Sequence, residues 1–433
     1  MFEVRGKYNT AKIFATTIDD ETLSQIVEIC NQEWVKDSNI AIMPDCHAGK
    51  GCTIGTTLTI HEKVCPNLVG VDIGCGMLTV QLPKELIDIS LEELDEFINN
   101  KIPSGFNIND ECIYNPIHEG LYLNKLRCYD SLKNKEYLEN SIGSLGGGNH
   151  FCEIDKDDEG NLYLVIHTGS RNLGKQVAEI YQDIAYHDCL KKVDDFEQTK
   201  INMIQELKDC GREKEIAVEL EKFKKEYIVP KINKDLSYLE GKHMDDYLHD
   251  MNICQKFATV NRKIIAKRIL EHLFKEKYKD MNGVVWVCDK ECGYEDSNID
   301  IRFECFETIH NYINLEDNTL RKGAISAKKG EIVLIPINMR DGAIIGIGKG
   351  NPDYNYSGPH GAGRLMSRSF AKENVSLDEF TASMEGIYSS SVGTSTLDES
   401  PMAYKPLDEI LENIKESIDV VKIIKPIYNF KAH

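Results

Sequence analysis

The sequence predicts an α+β fold: one interleaved domain spanning residues 1–433, with mixed β-sheets and a single large helical block inserted over 174–279. Three observations predict it. Short apolar runs punctuated by glycine fill residues 1–80 and return after residue 283. Between them lies a stretch almost without Gly or Pro, dense in Lys and Glu. No internal repeat or low-complexity tract separates the parts, so strands on either side of the block are expected to share sheets.

Taken in order, Ile40–Met43, Thr53–Ile60, Leu68–Ile73 and Leu78–Leu82 read as strands bounded by turns. Ser90 with Glu93 makes a capping-box pattern, and Leu91, Leu94, Phe97 and Ile98 follow at helical spacing, so a helix starts near residue 90. The turn Gly146–Gly148 leads into strand-like His150–Ile154 and Leu162–His167. The block from Gly174 to Lys279 has helical spacing of Ile, Leu and Phe and is broken near Pro230 and Gly241. Its charge-rich part, Lys191–Lys225, reads as a solvated helical face or hairpin, with a surface that recruits a partner as the alternative. Strand character returns at Gly283–Val287, Ile301–Ile309, Glu331–Ile337 and Ala343–Ile347. The tail Leu407–Val421 reads as an amphipathic helix, followed by a short segment ending Tyr428–Lys431.

Composition narrows the function classes. The chain has 433 residues, 41% hydrophobic and 28% charged, which fits a globular protein and not a disordered one. A formal charge of −20 argues against broad non-specific nucleic-acid binding. It leaves room for a local site where bound cations supply the positive charge. No apolar run approaches the roughly 18–20 residues of a membrane span. The N-terminal segment lacks the apolar block of a signal peptide, and the fourteen cysteines show no short repeating spacing. A reducing, cytoplasmic location away from membranes is expected.

The chemistry sits in glycine-set turns, where small residues let backbone approach a ligand. The first is Met43–Gly51, in which Asp45 and His47 are equally readable as turn residues. In Gly70–Met77, Asp72 and Cys75 stand three apart and can face one point. A buried core cysteine normally has apolar neighbours, whereas Cys75 is flanked by Gly74 and Gly76, which favours a ligand role. His150 follows the Gly146–Gly148 turn, His167 precedes Gly169, and His310 precedes Asn311 and Tyr312. Any one of these histidines is more often structural. Together with Asp72 and Cys75 they suffice for two metal ions about 3.5–4 Å apart. The mixed donor set leaves the metal undecided: thiolate and imidazole favour zinc, cobalt or iron, and carboxylate suits manganese or magnesium.

The last cluster is Ser357–Arg368. His360, after Pro359 and before Gly361–Ala362–Gly363, is sterically open to a bulky electrophile, and a neutral imidazole can attack phosphorus. Arg364 and Arg368 read as lying at a helix start, where an anion is favoured. The competing reading makes His360 another structural or ligand histidine. Cys288 and Cys292 find no second pair at zinc-site spacing, and neither glycine turn fits a phosphate-binding P-loop.

In order along the chain, MPDCHAGKGCTIG, VGVDIGCGM, GGGNHF, HTGSRNLG, LRKGAISA and HGAGRLMSR resemble the RtcB family of RNA ligases, from about residue 40 to the C-terminus. The resemblance implies a fold built around a central metal site. It also implies joining of an RNA 3′-phosphate or 2′,3′-cyclic phosphate end to a 5′-hydroxyl end, with GTP and two Mn²⁺ ions, in RNA repair or tRNA splicing. Asp72, Cys75, His150, His167 and His310 are then the manganese ligands, Cys75 bridging, and His360 carries GMP as a phosphoramidate. Asn149 resembles a contact to the GTP phosphates or metal, and Phe151, Glu153, Tyr404 and Lys431 resemble guanine-binding residues. Gly361, Ala362, Gly363 and Arg364 belong to the same nucleotide-binding set, while Arg171 and Lys322 resemble binders of RNA phosphate. An archease-like activator is a further partner that the resemblance allows.

The chain departs from the family at Pro336–Gly342, where many relatives have a Pro-Gly-Ser-Met-Gly-type loop, and at Leu320 and Ile325, where polar residues are common. These departures suggest a divergent paralogue suited to repair. They also keep two alternatives open: a metal-dependent cyclic phosphodiesterase or phosphatase without ligation, and an inactive protein that binds RNA ends.

Overall fold

A computed structural model of the protein describes residues 1–83, 86, 88–227, 233–277, 284–289 and 299–431. The first part of the chain forms β1 (Phe2–Arg5), β2 (Thr10–Ile13), α1 (Asp20–Cys30), β3 (Ile40–His47), β4 (Ile54–Thr59), β5 (Lys63–Val64) and β6 (Gly76–Gln81). Next come α2 (Leu91–Lys101), α3 (Pro116–Glu119), α4 (Lys135–Asn140), β7 (Phe151–Lys156) and β8 (Leu162–Thr168). The helical stretch follows as α5 (Arg171–Asp209), α6 (Ile216–Glu226), the short β9 (Leu239–Glu240) and α7 (Gly241–Lys277). The last part holds β10 (Val284–Asp289), β11 (Ile299–Ile309), β12 (Asn311–Asn314), β13 (Thr319–Lys322), β14 (Ala324–Ser326), β15 (Ile332–Asn338) and β16 (Gly342–Gly348). It closes with β17 (Ser357–Pro359), α8 (Arg368–Asn374), α9 (Leu377–Ser383), α10 (Leu407–Ile414) and β18 (Ile418–Lys431).

The fold is α+β, and strands from both sides of the helices pair in each large sheet. One sheet has the order β1-β2-β3-β4-β13-β12, the other β10-β11-β6-β8-β7-β18-β16-β15. In the second, Ile309 pairs with Gly76, Gly76 with Thr168, Phe151 with His167, and Lys431 with Phe151. Five neighbouring strands therefore end or begin at one level, where His167 sits near the end of β8 and the turns carrying Cys75, His150 and His310 open.

Helix α7 lies behind that level. Met251, Cys254, Ala258, Ile265 and Ile269 are buried at helical spacing against the sheet core. Asn261 and Arg262, also fully buried, sit in the same stripe. The charge-rich stretch of α5 and α6 is helical, with solvent-side pairs such as Lys200–Glu197 at 2.7 Å.

Three expectations are corrected. Leu68–Ile73 is not a strand: Pro66–Leu68 is a 3-10 turn, and positive φ at Gly70 and Gly74 keeps the following loop irregular. The tail is helical only over Leu407–Ile414. Ile418–Lys431 is a 14-residue strand, because its β-branched residues gain ladder pairing between β16 and β7 that helical spacing cannot match. Arg364 is not at a helix start, since α8 begins at Arg368 behind the Ser367 cap. Ser90 accepts a hydrogen bond from the Glu93 backbone N–H and caps α2 as expected. Pro230 and Cys292 lie outside the described residues, and twelve of the fourteen cysteines are free thiols. Among the described residues no helix is long and apolar enough to cross a membrane.

Candidate metal centre and its cavity

Two ligand groups converge at the strand ends. Asp72, Cys75 and His150 form one, Cys75, His167 and His310 the other, the ligand atoms of each within 4.8 Å of one another. Cys75 is common to both. Its Sγ lies 3.3 Å from His167 Nε2 and 3.5 Å from His150 Nε2, and His150 Nε2 is 3.0 Å from Asp72 Oδ2.

The tautomers follow from the backbone. His150 Nδ1 lies 2.9 Å from the Leu145 carbonyl and His167 Nδ1 3.1 Å from the Asn149 carbonyl. A carbonyl only accepts, so both Nδ1 atoms donate, and the Nε2 lone pair of His167 faces the thiol. Burial holds His167 and His310 well below the ordinary histidine range, with neighbouring imidazoles adding to the effect, so both are neutral donors at pH 7. Burial pushes the Cys75 thiol well up, and the Asp72 carboxylate pushes it further. A thiol held protonated beside three imidazoles is the arrangement that a divalent cation would deprotonate and bind. Burial opposes ionisation of Asp72, yet the His150 hydrogen bond and charge outweigh it and keep this carboxyl low.

The backbone around Asp72 admits no extra atom. A Cβ at Gly169 would lie 2.2 Å from Asp72 Oδ1, and the Ser170 N–H donates to that oxygen at 3.1 Å. From α7, the Arg262 guanidinium donates to the Gly74 and Thr168 carbonyls, each at 2.8 Å, and its Nε to Glu307 at 2.8 Å. Beside it, Asn261 accepts from the Gly143 N–H at 2.6 Å and donates to the Gly169 carbonyl at 3.2 Å. Two buried residues of one helix thus tie together the loops carrying Asp72, Cys75, His150 and His167. Neither belongs to a glycine motif, which is why the sequence reading passes over them.

His360 adjoins this cluster. Its ring centre is 5.0 Å from that of His310, and its Nδ1 is 2.7 Å from Asp45 Oδ2, off the line of an ideal hydrogen bond. The His360 backbone N–H donates to the same oxygen at 3.0 Å. A Cβ at Gly323, where φ is +58°, would lie 2.2 Å from Ile54 and 3.2 Å from His360, so only glycine fits. Asp45, 315 residues earlier in the chain, is the partner that local spacing could not assign.

A cavity of about 430 Å³ joins these parts. Asp72, Cys75, His167 and His310 line it with Asn149, Phe151, Glu153, Lys322, His360, Gly361, Ala362, Gly363, Arg364, Tyr404 and Lys431. His150 and Arg171 stand behind its wall. The Arg171 guanidinium passes under Gly146, 3.4 Å from His150 Nδ1, and Arg171 itself has φ +56°. Lys322 Nζ meets Cys52 Sγ at 2.7 Å and donates to the Asn67 carbonyl at 3.0 Å. Pro336, Ile337, Asn338, Met339 and Gly342 of the divergent loop also line the cavity.

A further part of the cavity lining is organised by Glu399, which the sequence reading does not name. Tyr404 OH donates to its carboxylate at 2.6 Å, Lys431 Nζ pairs with it at 2.9 Å, and Arg364 and Arg368 approach it as well. Burial would raise this carboxyl, but Lys431 and Arg368 outweigh burial and hold it at about 2. The Lys431 ammonium also lies 5.1 Å above the Phe151 ring and 3.3 Å from the Asn149 carbonyl. Asn429 donates to Glu153 at 2.8 Å. Burial raises both Glu153 and its neighbour Asp155. The two arginines of the Ser357–Arg368 cluster therefore arrive already paired with acid, not as a bare anion site.

Fold and site together define an α+β protein with a shared-thiol candidate metal centre opening onto a polar cavity. A family model described as tRNA-splicing ligase RtcB matches residues 25–121 and 117–432, and the chain belongs to the RtcB family. The RNA-splicing ligase RtcB of Escherichia coli (strain K12) is 28% identical over 422 residues, 91% of this chain and 90% of that protein. The tRNA-splicing ligase RtcB of Aeropyrum pernix is 26% identical over 464 aligned residues, covering 91% and 87%. That of Thermococcus kodakarensis is 24% identical over 478, covering 92% and 88%.

Proposed function

We propose that this protein is an RNA ligase that joins RNA 3′-phosphate or 2′,3′-cyclic phosphate ends to 5′-hydroxyl ends through a guanylylated His360. Its cations are two Mn²⁺ ions held by Asp72, Cys75, His150, His167 and His310, and its nucleotide is GTP. The observation that carries the reading is the position of His360, in one cavity with the shared-thiol cluster and with a second polar wall suited to a purine.

The residues divide the work. Asp45 Oδ2, 2.7 Å from Nδ1, keeps the imidazole proton on that side and leaves Nε2 as nucleophile. Nε2 attacks the α-phosphorus of GTP, the bond to the β-phosphate oxygen breaks, and pyrophosphate leaves. The guanylyl group passes to an RNA 3′-phosphate, and the 5′-hydroxyl then attacks that phosphorus and displaces GMP. Bound divalent cations supply positive charge at these phosphates, which is how a chain of charge −20 handles anionic substrates. Guanine fits that wall by donor pattern: its N1–H and amino group suit the Glu153 carboxyl, its O6 the Lys431 ammonium, and its face the Phe151 and Tyr404 rings. Lys322 and Arg171 are the cations for RNA phosphate.

Joining of two defined RNA ends tests this. With GTP and Mn²⁺, a 3′-phosphate strand and a 5′-hydroxyl strand should give one joined product, and His360→Ala should give none. Opening of a cyclic phosphate end without joined product would favour the phosphodiesterase reading.

A further inference from the structure

We propose that His47 is the general base that takes the proton of the RNA 5′-hydroxyl in the joining step, an inference that rests on the ligase reading. His47 is half-buried at the end of β3 and lines the cavity that holds His360 and the shared-thiol cluster. Four histidines line that cavity among the described residues: His47, His167, His310 and His360. Two are proposed metal ligands and one is the nucleophile, so His47 is the imidazole without a task. Two residues earlier on the same strand, Asp45 Oδ2 lies 2.7 Å from His360 Nδ1, so β3 brings His47 beside the nucleophile. His47 Nδ1 is 3.0 Å from the Asp45 carbonyl. A carbonyl only accepts, so Nδ1 carries the proton, and the Nε2 lone pair has no protein partner among the described residues.

The surroundings suit that role. His47 pairs with Ile54 of β4, and Lys322 pairs with Thr56 on the other side of the same strand, so His47 flanks β4 opposite the cation assigned to RNA phosphate. Lys322 donates to the Asn67 carbonyl at 3.0 Å, and the Asn67 amide donates to the Lys50 carbonyl at 3.3 Å, which ties the turn after His47 to Lys322. Burial, with His360 and Arg364 from beyond β17, holds His47 below the ordinary histidine range against the pull of Asp45 on its own strand. The ring is therefore unprotonated at pH 7 and ready to accept. The 3′-phosphate receives its guanylyl group from His360, so the phosphorus that the 5′-hydroxyl attacks lies by that ring, next to His47. As the 5′-oxygen bonds to this phosphorus, the bond to the bridging oxygen breaks and GMP leaves with the electron pair. His47 Nε2 takes the hydroxyl proton and later passes it to water.

The test uses full chains and an RNA end that already carries its diphosphate-linked guanosine, so that GTP and His360 are bypassed. With Mn²⁺ and a 5′-hydroxyl strand in single turnover, wild type should join the ends, and His47→Ala should do so about 10²–10⁴-fold more slowly. His47→Asn, whose amide can still donate to the Asp45 carbonyl, should be as slow as His47→Ala, whereas a purely structural histidine would be spared by it. Added imidazole should speed joining by His47→Ala and leave wild type unchanged. The wild-type rate should rise with pH to a plateau, half-way below the ordinary histidine value of 6.5, and His47→Asn should lack that rise. Joining by His47→Ala within about threefold of wild type, a loss that His47→Asn repairs, or no gain with imidazole would overturn the proposal and leave the ligase reading standing. A wild type that does not join the activated end would sink both.

Discussion

Replacing Glu399 by glutamine keeps the shape of the side chain and removes the charge that gathers Lys431, Arg368 and Tyr404. The carboxyl is held at about 2 against an ordinary 4.5, and that displacement corresponds to about 3 kcal/mol at neutral pH. Because the folded value is the lower one, this stability is fully present above 4.5 and is lost as pH falls toward 2. Urea unfolding should therefore show Glu399→Gln less stable than wild type by about 3 kcal/mol at pH 7, with the gap halved between about pH 3 and 3.5. With Lys431 and Tyr404 released from their anchor, KM for GTP should rise more than kcat falls. A stability difference under about 0.5 kcal/mol, or one independent of pH down to 3, would refute the role given to Glu399.

Further outcomes follow from the same geometry. Cys75→Ala should abolish both metal sites, whereas His150→Ala or His310→Ala should remove one ion each. If a four-ligand zinc site's ~10–16 kcal/mol divides evenly, each ligand is worth about 10²–10³-fold in Kd, readable by equilibrium dialysis with Mn²⁺. Gly169→Ala drives a Cβ toward Asp72 Oδ1, 2.2 Å away, and should lower the bound metal by one ion while the site of His167 and His310 stays filled. Arg262→Met leaves Glu307 without its cationic partner, holding only the Thr259 hydroxyl, and removes the side-chain donor from two buried carbonyls. It should cost about 3–5 kcal/mol in stability, and metal affinity about 10–100-fold, by denaturant titration and metal dialysis.

Much of the candidate site is legible in the sequence because the side chains that converge there sit in local glycine motifs. Asp72 and Cys75 share one turn, and His150 and His167 flank others, so residue type and spacing announce them. Their supports are not local. Asp45 reaches His360, and Glu399 reaches Lys431, only once the sheets have formed. Arg262 and Asn261 occupy a helix whose local pattern is ordinary, and their burial is visible only against the loops they hold. The same limit explains the tail: helical spacing through Leu407–Val421 is real up to Ile414, after which pairing with β16 and β7 decides.

The most direct measurement is to incubate the protein with Mn²⁺ and GTP labelled at the α-phosphate, then map the labelled peptide. The account predicts one acid-labile guanylyl group per chain, on His360, reversed by added pyrophosphate and missing from Cys75→Ala. A label on any other residue, or an unlabelled wild type across several divalent metals, would contradict it.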